Sequence, residues 1–225
     1  MAIDFQPFGV SLALASWVTG ILALTMFPFA WVFARSRRAW VPWVETLFSL
    51  SLVLPPTVLG FYILFFLSPE SPVGQFFVSV FGLRLVFNFE GLVIASCIAG
   101  TPFMISALRN GIAAIPEHLL EASWSLGKGQ LETIWRVVLP NMRPAIVAGV
   151  VTTFAHTLGE FGVVLMIGGS IPGVTKVVSI AIFEQTEAQH FATAHVYAAI
   201  LLLISYAGVF LLKYLENSTR ARTIR

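Results

Sequence analysis

A chain of 225 residues that is 57% hydrophobic and only 11% charged carries less than half the roughly 25% of charged residues found in ordinary soluble domains. Its mean hydropathy of +0.87 is that of a protein dissolved in lipid. The net charge of +2 calls for no nucleic-acid partner, and the single cysteine, Cys97, excludes a disulfide framework and a thiolate metal cluster.

Long apolar runs occur at about residues 8–34, 43–67, 88–108, 144–169 and 193–215. Each is near or above the roughly 20 residues a helix needs to cross the hydrocarbon layer. Runs of this length suit helices and not the alternating ten-residue strands of a barrel. The fold class is therefore all-α, a polytopic transmembrane bundle of about five spans. No linker or internal repeat divides it, so residues 1–225 form one domain.

The first run opens with MAIDFQPFG, which has an acid and no Lys or Arg, and it exceeds the roughly 7–15-residue core of a secretory signal. A retained helix is expected. The second run holds Leu54-Pro55-Pro56-Thr57 near its middle. Two missing backbone donors and two ring clashes predict a kink or an interruption there. Such a break lines a pathway or serves packing alone, and Pro55, Pro56 and Thr57 are its candidate residues.

Residues 68–87 begin SPESPVGQ and continue FFVSVFGLRLVF. This pattern fits a short interfacial or partly re-entrant helix and leaves room for a sixth span near 73–87. In the third run Ala95, Ser96, Ala99 and Gly100 have the small-residue spacing that lets helices approach closely. Cys97, among them, reads as packing.

The loop at about 109–143 is the longest polar stretch. Pro116 suits a first helical position, Glu117 a first turn and Gly127 a helix stop, so a helix is predicted at about 116–126. A second short helix should run from about 130 to 138 and end at Pro140. Joined by Gly127-Lys128-Gly129, they form a knob. Its apolar Leu119, Leu120, Leu126, Ile134, Trp135 and Val138 supply contact to a partner groove or to the protein itself.

The fourth run carries Thr153, His156, Thr157 and Glu160, which with Gly149 share one helical face. A charge at mid-membrane costs about 2.5–3.5 kcal/mol on insertion scales, so Glu160 should face the interior and find a partner, His156 being the nearest. One His and one Glu are too few for a metal or protease site. A direct oxyanion ligand at Glu160 is disfavoured by like-charge repulsion. A gate or interface element and a buried pair with a packing role remain as readings. An intramembrane hydrolase has no serine within four residues of His156. The apolar segment 177–183 is too short to span and belongs at the outer surface or in a re-entrant hairpin.

Eleven of the thirteen basic residues follow the first, third and fifth runs; the other side holds only Arg84 and Lys176. This asymmetry puts the amino terminus outside and the carboxyl terminus inside, with the basic residues beside anionic membrane lipid.

Within the cytoplasmic loop, Glu121-Ala122-Ser123, three residues, Gly127, nine residues, then Val137-Val138-Leu139-Pro140 resembles the Glu-Ala-Ala signature of the permease subunits of ATP-binding-cassette importers. Ser123 replaces the second alanine and Val137 an isoleucine. His156-Thr157-Leu158-Gly159-Glu160-Phe161-Gly162 and the stretch from Met166 through Ser170, Pro172, Gly173 and Thr175 resemble the oxyanion branch, with Ser170 where asparagine is usual. Leu54-Pro55-Pro56-Thr57-Val58-Leu59-Gly60-Phe61-Tyr62 is similar to molybdate permeases in particular.

The resemblance implies a non-catalytic inner-membrane subunit of a type I importer. Two identical copies would form the path for molybdate, with tungstate or sulfate/thiosulfate as alternatives. A periplasmic binding protein would deliver the anion, and two cytoplasmic ATPase subunits would dock on Glu121, Ala122, Ser123, Gly127, Leu139 and Pro140. The chain has no phosphate loop of its own; ATP belongs to the partner, and no cofactor or metal is expected here. It further implies a gate or interface at Pro55, Pro56, Thr57, Thr153, His156, Thr157, Glu160 and Gly162, and an outer turn at Ser170, Pro172, Gly173 and Thr175. An ion-driven secondary transporter is the rival, although such proteins often show inverted repeats.

Overall fold

The computed structural model describes residues 3–223, with the last helix described by its backbone alone at 211–213 and 215–223. Of the basic tail, Arg225 lies outside the described residues, and Lys213, Arg220 and Arg222 are described as backbone only. All regular structure among the described residues is helical.

Helix α1 (Gln6–Thr25) is followed after Met26 by α2 (Phe27–Arg35). Each carries a proline in its first turn, where the missing N–H would be unpaired anyway. Helix α3 (Val41–Val53) and α4 (Pro56–Leu67) meet at a bend of 115°. The cause is local: Leu54 and Pro55 each precede a proline, which pushes a residue out of the helical region, and their ψ angles are 137° and 134°. The second run is therefore an elbow.

Helix α5 (Pro72–Phe81) is capped by the Ser71 hydroxyl and ended by Gly82 at φ 66°. At about 1.5 Å per residue its 10 residues reach roughly 15 Å, so no sixth span forms there. Helix α6 (Phe89–Ala113), with the Asn88 side chain as its cap, runs 25 residues through the centre. The loop after it folds into α7 (Glu117–Ser125), α8 (Gln130–Thr133), a π turn (Ile134–Val138) and α9 (Leu139–Asn141), and the chain closes with α10 (Arg143–Gly159), α11 (Gly162–Gly168), α12 (Val178–Glu187) and α13 (Phe191–Thr223).

Three helices, α1, α6 and Phe191–Phe210 of α13, are long and apolar enough to cross a membrane alone; counting each bent pair as one span raises this to five. The bent pairs are α3 with α4 and Gln130–Asn141 with α10, the latter bent by 71°. Helices α10 and α11 together follow the whole of α6, from Gly111, where a Cβ would lie 2.4 Å from that of Ala145, to Leu92, whose side chain lies beside Gly168.

The small residues of α6 do what their spacing implied. Ala95, Ser96, Ala99 and Gly100 are all buried, and a Cβ at Gly100 would meet Leu22 at 3.3 Å and Thr153 at 3.5 Å. Helices α1 and α10 thus seat directly on α6. Among lipid tails this close packing, and not exclusion from water, holds helices together. Leu14, Val18, Leu22, Leu92 and Met104 are fully enclosed in that core.

The two ends of the bundle differ. At one, Arg35 donates to the carbonyls of Ile112 and Ile115 at 3.1 and 3.2 Å, and Arg109 pairs with Glu45 at 3.0 Å. These contacts gather α2, α3 and α6 beside the knob. At the other, the Phe87 N–H donates to Ile167 O at 2.9 Å, the Val178 N–H donates to Ser11 Oγ at 2.9 Å, and the Tyr197 hydroxyl donates to Asp4 O at 3.0 Å.

Candidate functional site

Two broken helices meet at their breaks. Helix α10 stops at Gly159, Glu160 is extended at φ −69° and ψ 130°, and α11 restarts at Gly162. The four-residue run Gly159-Glu160-Phe161-Gly162 has two glycines, the least helix-favouring residue after proline. The expected continuous face is thereby corrected: Thr153, His156 and Thr157 lie on α10, whereas Glu160 leaves the helix.

Gly162 rests on the elbow of the second span. A Cβ there would stand 2.8 Å from Pro56 Cβ and 3.2 Å from both Pro56 C and Thr57 N. One turn on, a Cβ at Gly60 would meet Met166 Cβ at 2.9 Å. From the breaks onward α4 and α11 therefore run in parallel and in contact. Pro55, Pro56 and Thr57 are exposed on the elbow.

A cleft of about 350 Å³ opens between the breaks, lined by Ser51, Thr57, Ala99, His156, Glu160 and Phe161 among others. Its volume lies at the low end of small-ligand sites, about 300–1,000 Å³. Thr153 and Thr157 are buried behind it, and the Thr157 hydroxyl donates to Thr153 O at 2.9 Å.

The expected pairing of His156 with Glu160 is not formed. The His156 ring stacks on Phe103 with centroids 4.2 Å apart. Both residues line the cleft, but Glu160 lies beyond the end of α10 that carries His156. Glu160 is only 6% exposed, and neither carboxyl oxygen has a hydrogen-bond partner among the described residues. The Ser96 hydroxyl points towards it without reaching hydrogen-bond geometry. The Glu160 carbonyl, freed by the break, accepts from Ser179 Oγ of α12 at 2.7 Å.

Sequence reasoning missed Ser51, Ser96 and Ser179 as site residues. Ser96 stood out for its size, but its hydroxyl is what faces Glu160. Nothing local marks Ser179, which comes from 19 residues away.

The outer turn is knitted to itself. The Thr175 hydroxyl donates to Gly168 O at 2.6 Å and accepts from the Ile171 N–H at 3.0 Å. Gly173 sits at φ 72°, and Pro172 is exposed beside it. The Ser170 hydroxyl and the Lys176 ammonium both bind the Glu184 carboxylate. Burial pushes that carboxyl up, but Lys176 and Ser170 outweigh it and hold it below the ordinary range.

At the opposite end the knob is built around Gly127 at φ 75°. The Lys128 N–H donates to Ser123 O at 3.2 Å and the Gly127 N–H to Trp124 O at 2.9 Å, a helix stop that needs the left-handed conformation glycine tolerates. Pro116 precedes α7 as its cap, with ψ 137°. Pro140 does not end the second helix. The π turn carries the Leu139 N–H back to Ile134 O, and this wider turn admits the proline ring into continuing helix.

The six apolar residues of the knob divide. Leu120 and Val138 are buried in the protein, while Leu126 and Trp135 are 77% and 70% exposed. Trp124 and Leu131 join the exposed set. Leu119 and Ile134 are half-buried. Glu121 and Ala122 face outward, whereas Ser123 is buried. Glu132 accepts from Lys128 at 2.7 Å and pairs with Arg136 at 3.1 Å. The Lys128 hydrogen bond, against a small burial penalty, keeps its carboxyl below the usual range.

A multi-pass helical bundle with a cleft between two broken helices and a partly apolar knob at one end is the architecture of a polytopic membrane protein. A family model described as binding-protein-dependent transport system inner membrane component matches residues 26–221. The chain belongs to that family, and it is a multi-pass inner-membrane protein. It is 42% identical over 210 residues to the molybdenum transport system permease protein ModB of Azotobacter vinelandii, covering 93% of this chain and 92% of the relative. The sulfate transport system permease protein CysT of Salmonella typhimurium is 29% identical over 210 residues, covering 93% and 74%.

The fold is also that of known importer chains. A chain of the inward-facing MetNI methionine ABC transporter superposes with TM-score 0.71 at 14% identity, over 95% of this chain and 94% of that one. A chain of a bacterial ABC transporter that imports the polysaccharide alginate gives TM-score 0.72 at 17% identity, over 96% and 80%.

Proposed function

We propose that two copies of this chain form the translocation pathway of an ATP-driven importer for molybdate. A periplasmic binding protein delivers the anion, and two cytoplasmic ATPase subunits dock on the two knobs. The observation that carries this reading is the knob: a rigid Gly127 stop, Glu121 and Ala122 facing outward, and Trp124, Leu126, Leu131 and Trp135 exposed around them. Exposed aromatic and aliphatic groups gathered on so small a body suit burial in a partner's groove.

The substrate reading rests on the 42% likeness to a molybdenum permease and on the chemistry of the cleft. The Thr57 hydroxyl and its backbone N–H at the start of α4 suit a tetrahedral dianion passing weakly and briefly, with no fixed cation to trap it, while the Ser51 hydroxyl donates to Ala99 O at 3.3 Å. His156 and Glu160 form the gate side of that cleft. The cleft is open along one side, and a second copy related by a two-fold axis would close it. The knob faces the cytoplasm and the amino terminus the periplasm, in line with the basic residues at the knob end. ATP binds the partner subunit, and this chain holds no cofactor.

Sulfate or tungstate is the second reading, favoured by the likeness to sulfate permeases at 27–29% identity. The test is ATPase activity of the purified complex with binding protein and each anion. Molybdate should stimulate hydrolysis at lower concentration than sulfate, and the reverse order would assign the chain to sulfate. Failure of any ATPase to co-purify would remove the importer reading.

A further inference from the structure

A second groove, about 600 Å³, lies between α4 and the segment leading into α6, beginning one turn along α4 from Thr57 of the cleft. It is lined by Phe61, Leu64, Phe65, Ser68, Arg84 and Phe87 among others. Its polarity is ordered along its length. Phe61, Leu64 and Phe65 form an apolar floor, and Ser68 and Arg84 stand at the rim, where α4 has ended about 10 Å further along at 1.5 Å per residue. Phe61, Phe65 and Phe87 are 51%, 63% and 55% exposed.

Arg84 is exposed and makes no ion pair among the described residues. Its backbone is nevertheless fixed. Leu85 beside it is buried, the Asn88 amide donates to the Arg84 carbonyl, and Phe87 is held at φ 61° by its N–H bond to Ile167 O. An unpaired guanidinium on a backbone held by hydrogen bonds therefore tops an exposed aromatic trough.

We propose that this groove holds one anionic glycerophospholipid, its phosphate on the Arg84 guanidinium and an acyl chain along Phe65, Leu64 and Phe61. The planar guanidinium matches two phosphate oxygens at once. Nothing else lining the groove is charged, so the complementary occupant is an anionic head on an apolar tail. A single cation near the membrane surface is worth about a fivefold preference for an anionic lipid.

The test places a reporter at Phe65→Trp in the full chain, reconstituted in vesicles with brominated phosphatidylglycerol or brominated phosphatidylcholine. Quenching above that of the parent chain should half-saturate at about fivefold less phosphatidylglycerol than phosphatidylcholine. Arg84→Gln should abolish the difference and Arg84→Lys should keep most of it. Should Arg84→Gln fail to insert, the contrast between the two lipids decides alone. Equal quenching by both lipids would overturn the proposal. So would a reporter that brominated lipid does not reach because a second copy covers it, as cross-linking from position 65 would reveal.

Discussion

Ser123 Oγ and Thr133 Oγ1 lie 2.8 Å apart, both buried, and bond the first helix of the knob to the second. Alanine, usual at position 123 in the family signature that this loop resembles, could not make that bond. Ser123→Ala would leave the Thr133 hydroxyl buried and unpaired, which costs about 1–3 kcal/mol. Expected is a lower unfolding temperature for the chain in detergent. Adding Thr133→Val should recover part of the loss, because it removes the orphaned partner as well.

Gly127 isolates backbone conformation from crowding. Nothing lies within 4 Å of a Cβ built there, yet φ is 75°. Gly127→Ala should therefore cost only the left-handed penalty, about 1–2 kcal/mol. Gly127→Asp should insert normally while ATPase co-purification weakens and uptake is lost. Unchanged association would place docking elsewhere.

Gly162 and Gly159 make a matched pair. A methyl at Gly162 must push apart the elbow and the α11 break, whereas a methyl at Gly159 meets nothing within 4 Å. Gly162→Ala should lower uptake at least tenfold, equivalent to about 1.4 kcal/mol, while Gly159→Ala stays near the parent rate. Equal rates would detach the contact between the breaks from transport.

Glu160 is tested by Glu160→Gln, which keeps the shape and removes the charge. Reduced uptake with normal insertion is expected of a gate residue. Near-normal uptake would leave Glu160 a packing role.

The outer turn should respond to acid. Glu184 has a carboxyl held below the ordinary range by Lys176 and Ser170 against its burial. A depressed carboxylate contributes stability that is present above the unfolded value, about 4.3, and is lost as pH falls through the lower folded value. Proteolysis at residues 169–176 should thus be slow at neutral pH and accelerate below about pH 4. Glu184→Gln should remove that dependence.

The parts of the fold legible in the sequence are those with local causes. Pro55-Pro56 dictates the elbow through pre-proline sterics, Gly127 the knob stop, and small residues on α6 the close approach of α1 and α10. The break at Glu160 was not legible, because an apolar run from 144 to 169 reads as one span. Two glycines permit the break, and contact with Pro56 and the Ser179 cap settle it from far along the chain. Likewise Pro140 reads as a helix end until the π turn makes room for it. The 153, 156, 157, 160 spacing reads as one helical face, but α10 ends at Gly159, so only Thr153, His156 and Thr157 stay on it and Glu160 leaves the helix.

The most direct measurement is uptake of molybdate into proteoliposomes holding this chain with its ATPase subunits and binding protein. Uptake should require ATP and the binding protein, and should vanish in Gly127→Asp although the chain is inserted. Uptake at the same rate with the ATPase left out would contradict the knob as the seat of an ATP-driven motor.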